Sequence, residues 1–362
     1  MTQVPLERLS PAALQRFAGL RVQAVEAVTN RFYQDHASLY ASFGDRGREA
    51  CREDLGFHLE FLRPVLEFGE AAPMVDYLRW LAGVLTVRNV PVEHLAQSLD
   101  WLAEFFSGHL PPEDGAIVAA ALSRARDGLL ADDGSSSGAN TKLPEAWAEC
   151  VEFELALLTG DRTAATAAVS ERMARGHSLI DTELHMIQPA LYQIGRKWEQ
   201  NLVSVAQEHL ATAIAQSLMM QELVRCEPSQ PNGRKVVLAC VAGNHHDVGL
   251  QMVADAFQLS GWEVSYLGAD VPTGSLIQYV GSWKPDLVGL SIAFAQQLAA
   301  GRTVVSRIAD EFGDQRPRVI IGGLAINNFE GLAGQIGADG WGADSASAIA
   351  AAARVASPPV KS

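Results

Sequence analysis

The sequence predicts a chain of α and α/β class. An N-terminal helical domain spans residues 1–131 and a linker 132–142; a four-helix bundle follows over 143–226, then a flavodoxin-like doubly wound parallel sheet over 233–356. Three observations carry that expectation. In the last third, apolar runs that suit strands buried on both faces alternate with stretches of helical spacing. Residues 143–226 show helical spacing alone. The first 131 residues are punctuated by prolines where helices start, and the polar Asp132 to Thr141, with its Asp-Asp-Gly-Ser-Ser-Ser-Gly run, marks the boundary after them.

In the first domain Ser10-Pro11 opens a helix, and Pro73, Pro91 and Pro111-Pro112 mark three further starts. In the bundle, Phe153, Leu157 and Leu158 follow a helical pattern, Gly160 and Gly176 break it, and Pro189 begins a new helix after Gln188. Ser204 and Gln207 read as a capping box, each side chain satisfying a free amide at a helix start. Lys235–Val241 is a buried strand ending at Gly243, and Leu250, Val253, Ala254 and Phe257 then recur at helical spacing until Gly261. The alternation continues with a strand from Glu263 to Leu267, a helix from Thr273, a strand from Leu287 to Ile292, a helix up to Phe312 and a strand from Arg318 to Ile321. Right-handed βαβ units place ligands outside the carboxyl ends of such strands, at the switch point of the sheet.

At 362 residues and 48% apolar content the chain can bury two or three cores. Its net charge of −14 and pI of about 5.1 leave no basic stripe to neutralise phosphates, which argues against direct DNA binding. No run of eighteen uncharged apolar residues reads as a membrane span. The start, Met1 to Pro5, lacks the basic and apolar regions of a signal peptide. Cys51, Cys150, Cys226 and Cys240 have no metal-ligand spacing and require no disulfides, so a cytoplasmic location is expected.

A three-part pattern falls at the predicted strand ends. Asn244-His245-His246-Asp247-Val248-Gly249 comes first, Ser291-Ile292-Ala293 follows after 41 residues (250–290), and Gly322-Gly323 after a further 28 (294–321). The pattern resembles the Asp-x-His-x-x-Gly, Ser-x-Leu and Gly-Gly signature of cobalamin-binding domains. The resemblance implies that His246 ligates cobalt from below as a neutral imidazole, that Asn244 holds its other ring nitrogen, and that Ser291, Gly249, Gly322 and Gly323 serve the nucleotide tail. Asn244 departs from the family's Asp, and a carboxamide cannot take or share a proton. The plainer alternative is a pair of loop histidines in an ordinary flavodoxin-like domain.

A second constellation lies in the bundle, where Trp198 ends one helix and, nine residues on (199–207), Glu208 and His209 begin the next. This combination resembles the cap of CarH-type photoreceptors, which hold adenosylcobalamin in the dark and lose its cobalt–carbon bond in light. It implies that Trp198 and Glu208 accommodate the adenosyl group and that His209 becomes the upper cobalt ligand after light. Methionine synthases have a similar four-helix cap over a methyl group. Trp198 as a packing aromatic and Glu208-His209 as a solvated helix start is the plainer alternative.

In the first domain, Phe43 to Leu59 mixes aromatics, arginines and a histidine. His58 shares a helix face with Cys51, Leu55 and Leu62, which most simply makes it a core histidine. Tyr33, Tyr40, Phe43 and Phe57, with Arg46, Arg48 and Arg52 for propionates, also suit a linear tetrapyrrole or a haem. An acidic helical domain before a CarH-like unit looks like the photocobilins, which implies biliverdin as a second chromophore with His58 and Arg52 as its candidate contacts.

The expected function is therefore a light-sensing regulatory protein, not an enzyme, that changes its homo-oligomeric state and is read by an effector protein. Two rivals stay open: a methyl-carrying corrinoid protein of a methyltransferase system, and a regulator that senses cobalamin without light.

Overall fold

The computed structural model describes residues 6–131, 145–329 and 331–355. The expected linker at 132–142, Met1 to Pro5 and the Ser357-Pro358-Pro359 tail lie outside the described residues. The chain divides into two compact units, Met1–Asn140 and Thr141–Ser362.

The first unit is all helical: α1 (Pro11–Gly19), α2 (Arg21–Asp35), α3 (Ala37–Tyr40), α4 (Gly44–Phe68), α5 (Ala72–Thr86), α6 (Val92–His109) and α7 (Pro112–Leu130). The prolines sit where expected. Ser10 caps α1, its Oγ accepting from the Ala13 amide at 3.2 Å, and Pro73, Pro91 and Pro112 stand at the starts of α5, α6 and α7. The core is built from Phe17, Val28, Leu59, Leu62, Leu66, Leu78, Leu99, Phe106 and Leu122.

The second unit opens with a helical cap: α8 (Cys150–Thr159), α9 (Arg162–Ala174), a third rod from Leu179 to Glu199, and α12 (Val205–Arg225). The third rod is α10 (Leu179–Thr182), one π turn (Glu183–Ile187) and α11 (Gln188–Glu199). Pro189 explains the π turn. It has no N–H and its ring crowds the carbonyl four residues back, so the His185 carbonyl turns aside and accepts from the Trp147 amide at 2.9 Å. Pro189 thus begins α11 as expected, but within a continuous rod. Phe153, Leu157, Ile187, Ile194, Ile214 and Met219 form the cap's core.

The sheet part runs β1 (Lys235–Val241), α13 (Val248–Leu259), β2 (Glu263–Val271), α14 (Thr273–Trp283), β3 (Leu287–Ser291), α15 (Leu298–Phe312), β4 (Arg318–Gly322), α16 (Leu324–Asn328), α17 (Gly331–Ile336), β5 (Gly340–Trp341) and α18 (Ser345–Val355). The five strands are parallel in the order β2-β1-β3-β4-β5. The order reverses between β1 and β3, so the crevice beyond their carboxyl ends is the switch point. The expected class, helical and doubly wound α/β, is the observed one.

Candidate functional site

Asn244 lies in the loop after β1, wholly buried. Its Oδ1 accepts from the His246 backbone amide at 3.0 Å, and its Nδ2 donates to the Ser291 carbonyl at 3.0 Å. Those two partners fix which end of the amide is which: only an oxygen can face the N–H, and only an NH2 can face the carbonyl. Asn244 therefore stitches the ends of β1 and β3 together across the switch point. Gln297, also buried, adds a second stitch, donating to the Gly243 carbonyl at 2.8 Å and accepting from the Ala293 and Phe294 amides. Asp270, at positive φ, holds the third side by accepting from the Gly243 amide at 2.7 Å.

The His246 ring stands accessible in this braced loop, its centroid 4.8 Å from that of the nearly perpendicular Phe294 ring. The protein mass around it lowers its pKa, desolvation being the largest cause and Glu208 opposing it. A neutral imidazole with an accessible face at neutral pH is the form that donates a lone pair to a metal. Gly249, in the first turn of α13, has no atom within 4 Å of where a Cβ would sit, so this side of the loop is open.

Gly322 and Gly323 are demanded by the protein itself. A Cβ at Gly322 would lie 2.6 Å from the Gly342 carbonyl oxygen; at Gly323, with φ of 98°, it would lie 2.4 Å from that of Ile292. They let the ends of β3 and β4 close up, and the Ile292 amide donates to the Gly322 carbonyl at 2.9 Å.

The cap helix α12 reaches the same loop. Glu208 accepts from Thr212 Oγ1 at 3.0 Å and lies 2.5 Å from Nδ1 of His209, whose side chain is 75% exposed. One and two turns further along that helix face, Thr212 and then Gln216 follow, and Gln216 donates to Asp247 Oδ1 at 3.2 Å. Tyr266 of β2 donates to the other Asp247 oxygen at 3.1 Å. The helix that carries Glu208 and His209 is thus tied to the residue next to His246. Trp198, in the last turn of α11, is 38% exposed and takes no part in the cap's core. The structure therefore ties Asn244, His246 and Ser291 together at the ends of β1 and β3 and brings Glu208, with His209 beside it, within electrostatic reach of His246, while Gly322 and Gly323 close the neighbouring strand ends.

The pair expected in the first unit is not gathered. His58 is buried, its Nδ1 2.9 Å from the Tyr77 hydroxyl, and burial pushes its pKa down to about 3. It is a satisfied core histidine. Arg52, six residues back on α4, is held at the surface by Glu26 at 2.8 Å and Glu49 at 3.1 Å. Burial pushes the Cys51 thiol up to about 11, so it is inert. Among the described residues all four cysteines are free and no helix is long and apolar enough to cross a membrane. The polar cluster of this unit lies elsewhere: the His36 and His94 rings are 4.0 Å apart, with the Tyr40 hydroxyl 2.7 Å from His94 and Gln97 2.7 Å from His36. No short motif marks those four positions in the sequence.

Residues 151–221 and 234–350 each match a family model described as a B12 binding domain. The chain is 28% identical over 244 residues to the HTH-type transcriptional repressor CarH of Myxococcus xanthus, covering 66% of this chain and 76% of that one. It is 34% identical over 123 residues to the HTH-type transcriptional repressor CarA of the same organism, covering 34% of this chain and 41% of that one. To dimethylamine corrinoid protein 2 of Methanosarcina acetivorans it is 29% identical over 117 residues, covering 32% of this chain and 53% of that one. The chain thus spans about two fifths of the length of CarA, half that of the corrinoid protein and three quarters that of CarH. Residues 151–221 and 234–350 therefore resemble B12 binding domains, and over 244 residues the chain is similar to CarH.

Proposed function

We propose that the protein is a light-sensing regulator that holds adenosylcobalamin between its cap and its sheet part, with His246 as the lower cobalt ligand. One observation carries the reading: Glu208 and His209 ride on a helix tied through Gln216 and Asp247 to the loop of His246, while a large aromatic, Trp198, is left accessible on the cap. When bound, adenosylcobalamin supplies a cobalt–carbon bond that light cleaves. The chain's own residues do the rest. His246 offers a neutral imidazole; Asn244, Gln297 and Asp270 keep its loop from shifting; Trp198 and Glu208 give an apolar wall and a hydrogen-bond acceptor, which suit an adenosyl group better than a methyl group. His209, its ring exposed, offers a second imidazole from the cap side.

Because the tie through Asp247 joins cap and loop, a change at the upper face acts on the relative position of the two, and a partner or a second copy can read that shift. Size-exclusion chromatography of the adenosylcobalamin-loaded protein is expected to give different elution volumes in the dark and after green light. Identical elution would contradict an output through assembly. Biliverdin is proposed as a second chromophore in the first unit, though His58 and Arg52 are committed elsewhere. A red band on adding biliverdin to the same sample tests it.

The similarity to a dimethylamine corrinoid protein favours a second reading, in which the same site carries a methyl group between methyltransferases. In that case methylcobalamin binds in preference to adenosylcobalamin.

A further inference from the structure

Glu183 and Asp255 are an unusual pair for a protein interior. Glu183 projects from the π turn of the cap and is 0% exposed; Asp255 projects from α13 of the sheet part and is 4% exposed. Both Glu183 oxygens and Asp255 Oδ2 are buried without a hydrogen-bond donor, yet the two carboxyl groups act directly on each other. Two ionised carboxylates in such a place would repel and lack solvation, whereas one proton between them turns the contact into a hydrogen bond. We propose that Glu183 and Asp255 form a shared-proton site that clamps the cap onto the sheet part at acidic pH and releases it as the pH rises.

The surroundings favour the proton over a cation. The other group acting on Glu183 is the Cys226 thiol at the end of α12, which burial keeps protonated and uncharged. Of the basic groups on the packed elements, Arg225 is engaged with Glu222 at 2.6 Å, Arg172 with Glu149, Arg175 with Glu149 and Glu171, Lys197 with Glu154, and Lys235 with Glu263 at 3.7 Å. Arg354 of α18 is exposed. Asp247, on the first residues before α13, is held by Gln216 and Tyr266, and His185, in the π turn itself, meets the Glu145 carbonyl. Among the described residues no three metal-ligating side chains gather here or elsewhere.

Burial, and then Asp255, hold Glu183 well above the usual carboxylate range, and burial pushes Asp255 up to about 6. Both are raised over the unfolded values, so the clamp's contribution is complete below about pH 4 and is lost as the pH rises through about 6 and beyond. Since α13 begins two residues after His246, release reaches the ligand loop directly.

Hydrogen–deuterium exchange on the full-length apoprotein tests this without any cofactor, so its outcome is separate from that of the cobalamin reading. After correction for the intrinsic pH dependence of exchange, protection in 179–187 and 248–259 is expected to fall about tenfold or more between pH 5.5 and pH 8. Glu183→Gln should abolish that fall, because an amide donates to the Asp255 carboxylate with no proton to lose. Should that variant fail to fold, Asp255→Asn makes the same test from the other side, and if neither folds the wild-type profile decides. Wild-type protection unchanged across this range, or a variant that loses protection as the wild type does, would overturn the proposal.

Discussion

His246→Ala is expected to weaken cobalamin binding about 100-fold or more while leaving the apoprotein folded. Loss of an outer partner of a metal-bound histidine already costs roughly 10–100-fold in affinity, and the ligand itself should cost at least that. The fold should tolerate the change because the residue is exposed and its ring meets the Phe294 ring in a T-shaped pair, while the loop is held by Asn244, Gln297 and Asp270. A spectroscopic titration reads both parts, since cobalamin bound without a histidine has a different visible spectrum. Equal affinity and an unchanged spectrum would remove His246 from the lower face.

Asn244→Asp is expected to make stability depend on pH in a way the wild type does not at this position. In place of Nδ2, an ionised aspartate would aim an oxygen at the Ser291 carbonyl 3.0 Å away, in a wholly buried site. The new carboxyl therefore stays protonated and donates to that carbonyl, with its folded-state pKa raised above the unfolded value of about 3.9. A raised acid pKa means that stability is present at low pH and lost as the pH rises. At 1.36 kcal/mol per pH unit, the penalty relative to wild type is up to about 4 kcal/mol at pH 7 and about 1.5 kcal/mol at pH 5. Denaturant unfolding of both apoproteins at the two pH values measures it; a penalty equal at both would show that the carboxylate is accommodated ionised. The carboxamide thus suits this loop in a way the family's usual aspartate, when charged, does not.

Why some of this was legible in the sequence and some not follows from the range of each contact. β1 is Lys235–Val241 in sequence and structure alike, because burial on both faces writes a continuous apolar run. β2 was expected to end at Leu267 but continues to Val271; the register slips where Ala239 pairs with Gly268, at positive φ, and that slip breaks the alternation an edge strand would show. β5, two residues long, has no pattern to read. In the site, the spacing of the three motifs singled out Asn244, His246 and Ser291, but Asn244 holds the backbone amide of His246 and not the ring nitrogen expected of it. Gln297, Gln216 and Asp270 escaped because each is a single polar residue that bridges to a partner 27 to 54 residues away, Gln297 doing so besides its local bonds to the Ala293 and Phe294 amides. The glycines at 322 and 323 were expected to make room for a nucleotide tail, whereas the atoms a Cβ would meet there belong to Gly342 and Ile292. Helical spacing placed His58 on an apolar face, and the structure shows why: Tyr77 completes it inside the core.

The central claim is that adenosylcobalamin is held His-on at His246 and answers to light. Its most direct test is the absorption spectrum, near-ultraviolet to far-red, of the full-length protein loaded in darkness with adenosylcobalamin, recorded before and after green illumination. The account predicts a His-on spectrum in the dark that changes irreversibly in light. A cobalamin spectrum that light leaves unchanged would contradict it.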